Sequence, residues 1–120
     1  MGLDMYLFVG KPNSDGPEIG YWRKANGIHK WFIDNLNNGD DVSCEVIPVN
    51  LSDLKNLQSD VNQALANKSL APKLIPTGAG FFFGSTEYDE YYYEDLQDTL
   101  KIIDKAIETG EEDFCYMAWW

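Results

Sequence analysis

Leu3-Asp-Met-Tyr-Leu-Phe-Val9 near one end of the chain and Phe114-Cys-Tyr-Met-Ala-Trp-Trp120 at the other are read together, because neither can stand alone. In the first, Leu3, Met5, Leu7 and Val9 alternate with Asp4, Tyr6 and Phe8, the two-residue period of a strand with one strongly buried face. In the second, Phe114, Tyr116, Ala118 and Trp120 alternate with Cys115, Met117 and Trp119. Both of its faces are apolar, so at least one must be buried. A terminal strand with that much aromatic surface has to pair, most simply beside the N-terminal strand.

Between these ends the pattern turns helical. Gly10 to Gly20 is rich in Pro and Gly and reads as a loop. A helix is predicted from Tyr21 to Asn37, where Tyr21, Ala25, Ile28, Phe32 and Leu36 recur at helical spacing and Gly39 closes the run. Cys44 to Val49 reads as a strand. Asn50 then caps a second helix, with Asp53 in the box position and Val49 and Leu54 as a hydrophobic staple. Leu54, Leu57, Val61 and Leu65 form its buried stripe. Pro72, Pro76 and three glycines make residues 67–84 a connection, with Phe81, Phe82 and Phe83 pinned inside it. A third helix runs from Asp89 to Glu108, buried through Tyr93, Leu96, Leu100, Ile103 and Ile107. The expected fold is a single α+β domain spanning residues 1–120, with three helices on one face of a small, mainly antiparallel sheet of about three strands.

Charge is unevenly spread. The 120 residues carry a formal charge of −11, and residues 87–113 hold eleven acids against two lysines. Duplex nucleic acid and anionic membranes are poor partners for such a chain, since both require a cationic face. No basic leader and no apolar run of about 18–20 residues points to secretion or a membrane span, so a cytoplasmic location is expected. Cys44 and Cys115 lack metal-binding spacing and are expected to be reduced thiols.

The residue types offer little chemistry. His29 is the single histidine, which excludes a multi-histidine zinc site and leaves one candidate general base. Its bland reading is a ring packed against core aromatics. Arg23, Lys24 and Lys30 form one basic cluster, read with Asn26 and His29 as an anion or ligand site, or else as ion-pair partners of the acidic third helix. Gly27, costly inside a helix, implies either close approach by another element or a slight bend. Gly78-Ala-Gly80 and Gly84-Ser-Thr86 fall short of any phosphate-loop motif. Glu87, Asp89 and Glu90 lack EF-hand spacing and suit the positive end of a helix dipole. No metal or cofactor is expected. Glu87, Glu90, Tyr91, Glu94, Asp95 and Asp98 form an acidic, tyrosine-bearing surface suited to a protein partner, although solubility alone also accounts for acids.

Met1-Gly-Leu-Asp-Met-Tyr-Leu7, Gly20-Tyr-Trp-Arg-Lys-Ala-Asn-Gly-Ile-His-Lys-Trp-Phe32 and Gly80-Phe-Phe-Phe-Gly-Ser-Thr-Glu-Tyr-Asp-Glu-Tyr-Tyr-Tyr-Glu-Asp-Leu96 carry a resemblance. Together these blocks resemble a family of small, functionally uncharacterised proteins encoded by bacteriophages and by bacterial genomes carrying prophages. The resemblance brings no catalytic residues with it. It implies an accessory protein of the bacterial cytoplasm that binds a basic surface on a host or defence-system protein, in the manner of anti-CRISPR proteins. Two other expectations stand beside it. One is a small nucleotide- or phosphate-binding enzyme using Arg23, Asn26, His29 and Glu87. The other is a self-associating structural protein with Trp119 and Trp120 at the subunit boundary.

Overall fold

In the computed structural model, which describes residues 3–14, 16–40, 46–78 and 87–120, the two ends of the chain pair as their alternation requires. In chain order the elements are β1 (Asp4–Val9), β2 (Glu18–Arg23), α1 (Asn26–Leu36), β3 (Val46–Asn50), α2 (Leu51–Ala66), a one-turn α3 (Ala71–Leu74), α4 (Glu90–Glu108) and β4 (Asp113–Trp119). The strands form an antiparallel sheet in the order β2-β1-β4-β3. β4 is therefore an interior strand, paired to β1 on one side and β3 on the other. The fold is α+β, and the described residues form four strands and four α-helices, one more of each than the periodicity indicates.

One face of the sheet makes the core. Leu3, Met5 and Leu7, Phe114 and Tyr116, and Ile47 and Val49 are buried there beneath Phe32, Leu54, Leu57, Leu96 and Ile103 from the helices. Phe32 stacks on Tyr116 with ring centroids 4.0 Å apart. The capping box of α2 forms as read: the Asn50 side chain accepts from the Asp53 N–H at 2.9 Å, and the Asp53 carboxylate accepts from the Asn50 N–H at 3.0 Å. Val49 and Leu54 are both buried beside it. In the α2 stripe Ala64 is buried, whereas Leu65 is only half-buried. Cys115 is a buried free thiol whose burial pushes its pKa up. Met1, Gly2, Cys44 and the segment from Ala79 through the Phe81–Phe83 triplet and Gly84 to Thr86 lie outside the described residues.

Two expectations are corrected. Residues 10–20 are not all loop, and Tyr21 does not start a helix: Glu18–Arg23 is strand β2 on the edge of the sheet, and α1 begins at Asn26. The apolar residues at positions 21 and 22 belong to opposite faces of a strand, and Lys24, with φ of 55°, prevents one helix from running through. The buried face of α4 is also rotated. Tyr92, Leu96, Thr99, Ile103 and Ala106 are buried, while Tyr93 and Leu100 are half-buried and Ile107 is exposed. At about 100° per residue, this turns the face by roughly a sixth of a circle toward β2.

That rotation brings α4 close against the sheet edge. A Cβ on Gly20 would stand 2.4 Å from Ile102 Cγ2, so only glycine admits the helix at this distance. The Trp22 indole N–H donates to the Thr99 hydroxyl at 2.9 Å, and that hydroxyl donates to the Asp95 carbonyl at 2.7 Å. Gly20→Ala is expected to lower stability by about 1–3 kcal/mol through overpacking. Combining it with Ile102→Ala should cost less than the two singles added together, because the colliding branch is gone. Urea melts of the four proteins measure this; additive losses would mean that the contact does not set the helix position.

Candidate functional site

The sharp turn between β2 and α1 builds one wall of the site. Lys24 sits in the left-handed region and its N–H donates to the Leu3 carbonyl at 2.7 Å, which holds Arg23 and Lys24 at the corner of the sheet. Asn26, buried at the start of α1, accepts through Oδ1 from the Gly78 N–H at 3.2 Å. Gly27 follows, and the close approach that its presence implied is real. A Cβ there would lie 3.1 Å from Tyr92 Cε2 and 3.5 Å from Ile75. Tyr92 in turn donates its hydroxyl to the Ile75 carbonyl at 2.6 Å. These contacts fix the first turns of α4 against the first turn of α1.

The other wall is α4 itself. Asp89 caps the helix, accepting from the Tyr92 N–H at 3.1 Å. Residues 91, 94, 95 and 98 then fall on one flank, by the spacings of three and four that keep helical residues together. Between the two walls lies a cleft of about 310 Å³. Arg23 and Lys24 line it from the corner, with Glu87, Asp89, Tyr91, Glu94, Asp95 and Asp98 opposite. Five carboxylates thus face two cations. Tyr91 is 68% exposed, an aromatic ring standing free at the rim. Asp95 is half-buried, and its carboxyl is pushed up to about 7, first by burial and then by Asp98, Glu94 and Asp89. Withdrawal from water is the larger cause of this rise, and the three neighbouring acids add to it.

Of the six acidic-surface residues read from sequence, Glu87, Tyr91, Glu94, Asp95 and Asp98 line this cleft; Glu90 is exposed outside it. The basic cluster does not form as one helical face. Arg23 is on β2, while Lys30 is on α1 and pairs with Asp34 one turn later at 2.7 Å. Arg23 and Asn26 do reach the cleft together with Glu87, but His29 does not. His29 is 2% exposed, and its Nδ1 lies 2.6 Å from the Tyr116 hydroxyl within the core aromatics. It is a core residue. Asp89 and Lys24 complete the lining, and Tyr92 supplies its floor; the strand–turn–helix corner that recruits Lys24 was hidden by the helical reading of 21–37.

Among the described residues, no group of three or more His, Cys, Asp or Glu side chains is placed to hold a metal ion, and no helix is long and apolar enough to cross a membrane. Comparison with protein-family models, with curated proteins and with solved structures finds no match to this chain.

Proposed function

We propose that the protein is a non-enzymatic accessory protein, of bacteriophage or prophage origin, that binds a basic surface of a host or defence-system protein in the bacterial cytoplasm and modulates or inhibits it, as anti-CRISPR proteins do. The observation that carries the binding part of this reading is the cleft. Five carboxylates and an exposed tyrosine gather on the flank of α4, and one of those carboxyls is pushed up to about 7. A lysine or arginine side chain from a partner would supply the missing positive charge, with the Tyr91 ring available for a cation–π contact. The phage origin rests on the three sequence blocks. The rival reading, a phosphate- or nucleotide-binding enzyme, has Arg23, Asn26 and Glu87 in the cleft. His29 is withdrawn from it, however, and an anionic ligand would meet five carboxylates there.

Asp95 makes the proposal testable by proton linkage. A bound cation lowers the Asp95 pKa, so binding releases a proton and tightens as pH rises through about 7. The affinity of a labelled nona-arginine peptide should increase roughly threefold to tenfold from about pH 6 to about pH 8, one pKa unit corresponding to a factor of ten. Asp95→Asn should flatten this dependence. The sign for folding is opposite: a carboxyl with a raised folded pKa favours the native state at low pH, and that contribution is lost as pH rises through about 7. Asp95→Asn should therefore melt above the parent at alkaline pH. Peptide binding that ignores pH in this window, or keeps its pH dependence in Asp95→Asn, would contradict the reading.

A further inference from the structure

β2 is an edge strand: among the described residues it pairs only with β1. The Lys24 N–H donates to the Leu3 carbonyl at 2.7 Å. By the alternation of an antiparallel ladder, Trp22 and Gly20 also bond inward to β1, and the backbone groups of Tyr21 and Arg23 turn outward. The other edge of the sheet is blunted. At the end of β3 the Leu51 N–H donates to the Glu112 carbonyl at 2.9 Å, so Val49 and Ile47 bond inward and Pro48, which has no N–H, takes an outward position. β2 contains no proline. An open edge of this kind is a template for an added strand.

Beside this edge α4 forms the second wall of a groove of about 340 Å³, lined by Gly20, Tyr21, Asp98, Lys101, Ile102 and Lys105. Helix and strand run antiparallel, as the Gly20–Ile102 and Trp22–Thr99 contacts show. Residues 87–113 hold eleven acids and two lysines, and both lysines line this groove, against one aspartate. Both are exposed, and neither forms an ion pair among the described residues. Their separation of four residues is about 6 Å along the helix, close to the roughly 6.8 Å between alternate side chains of a strand.

We infer that this groove takes an extended, acidic segment of another protein, which joins the sheet as a strand next to β2. Its backbone would exchange hydrogen bonds with the outward N–H and C=O groups of Tyr21 and Arg23. Alternate acidic side chains would reach Lys101 and Lys105, and the residues between them would lie on the side of the Tyr21 ring. A second copy of this chain is a poorer occupant. Pairing two β2 strands about a two-fold axis brings two α4 helices together, and with them the acids of residues 87–113. The groove is separate from the acidic cleft, although Asp98 borders both, and the inference does not depend on what the cleft binds. The chain's overall −11 repels an acidic segment at low salt, and physiological salt confines that repulsion to about 8 Å.

Fluorescence anisotropy at physiological salt tests it with a labelled peptide of alternating Glu and Val, and with the same peptide N-methylated at its valines, whose N–H groups would face β2. The methylated peptide should bind at least about tenfold more weakly, because it cannot donate to the edge. Lys101→Gln combined with Lys105→Gln should weaken the unmodified peptide at least about threefold. Lys55→Gln combined with Lys73→Gln, the same charge change at exposed positions outside the groove, should have a smaller effect. Hydrogen exchange at the Tyr21 and Arg23 amides should slow when the peptide is bound. No binding up to about 1 mM peptide would overturn the inference and leave the two lysines as guards of a bare edge. Equal affinity for both peptides, equal losses in the two double variants, or edge amides that exchange as before would overturn it as well. So would a dimer of the parent that the peptide dissociates, since a second copy would then occupy β2.

Discussion

A chain ending at Phe114 is expected to show no cooperative melting transition. β4 is an interior strand, so removing residues 115–120 cuts its ladders with both β1 and β3 and leaves β3 only its Val49–Phe114 and Asn50–Asp113 pairs. Tyr116 is fully buried, stacked on Phe32 and within hydrogen-bonding distance of His29. Losing one buried aromatic costs about 3–5 kcal/mol. Cys115 and Ala118 go with it, against a total stability of about 5–15 kcal/mol for a typical domain. The truncated chain should lack the far-UV and near-UV circular dichroism of the parent at all temperatures. Removing Trp120 alone, which lies beyond β4, should leave a cooperative transition. A truncated protein that melts like the parent would make the strand an appendage and the sheet order wrong.

This strand was legible because alternation across seven residues with no charge leaves a chain few options. The start of α2 was legible for a different reason, since Asn50 and Asp53 satisfy each other's backbone locally and need no tertiary partner. What was hidden depended on long-range contact. Tyr21, Ala25, Ile28 and Phe32 keep helical spacing by coincidence across a strand–helix junction. Only the Lys24 turn and the packing of Gly20 on Ile102 separate the two. The rotation of α4 was hidden because its buried face includes Thr99 and Tyr92. Their hydroxyls look like surface in a hydropathy pattern and are satisfied by Trp22, Asp95 and Ile75 in the fold. The acidic character of the site could be read directly. Its shape could not, because one wall comes from a corner that the linear pattern ran straight through.

The same geometry bears on why these acids are kept. Glu90, Glu94 and Asp98 stand at intervals of four and repel one another along α4. Asp95, half-buried among Asp98, Glu94 and Asp89, favours the folded state less as pH rises toward neutrality. A surface shaped for stability alone would place a lysine among them, as Lys101 and Lys105 do further along the helix. A local cost retained on one flank of one helix is what the proposed binding role requires.

Charge reversal on that flank is therefore expected to have the largest effect on binding. Glu94→Lys combined with Asp98→Lys removes two cleft carboxylates and changes the net charge by four units. Glu111→Lys combined with Glu112→Lys changes it by the same amount beyond the far end of α4, outside the cleft. Long-range attraction falls equally in the two proteins; contact at the cleft is lost only in the first. The most direct measurement is the dissociation constant of the labelled nona-arginine peptide for parent and both double variants, at low and at physiological salt. Glu94→Lys/Asp98→Lys is expected to bind at least about tenfold more weakly than Glu111→Lys/Glu112→Lys, with a melting temperature equal to or above the parent's. Equal losses in the two double variants, or no loss in either, would contradict it and leave the acidic helix a solvated surface.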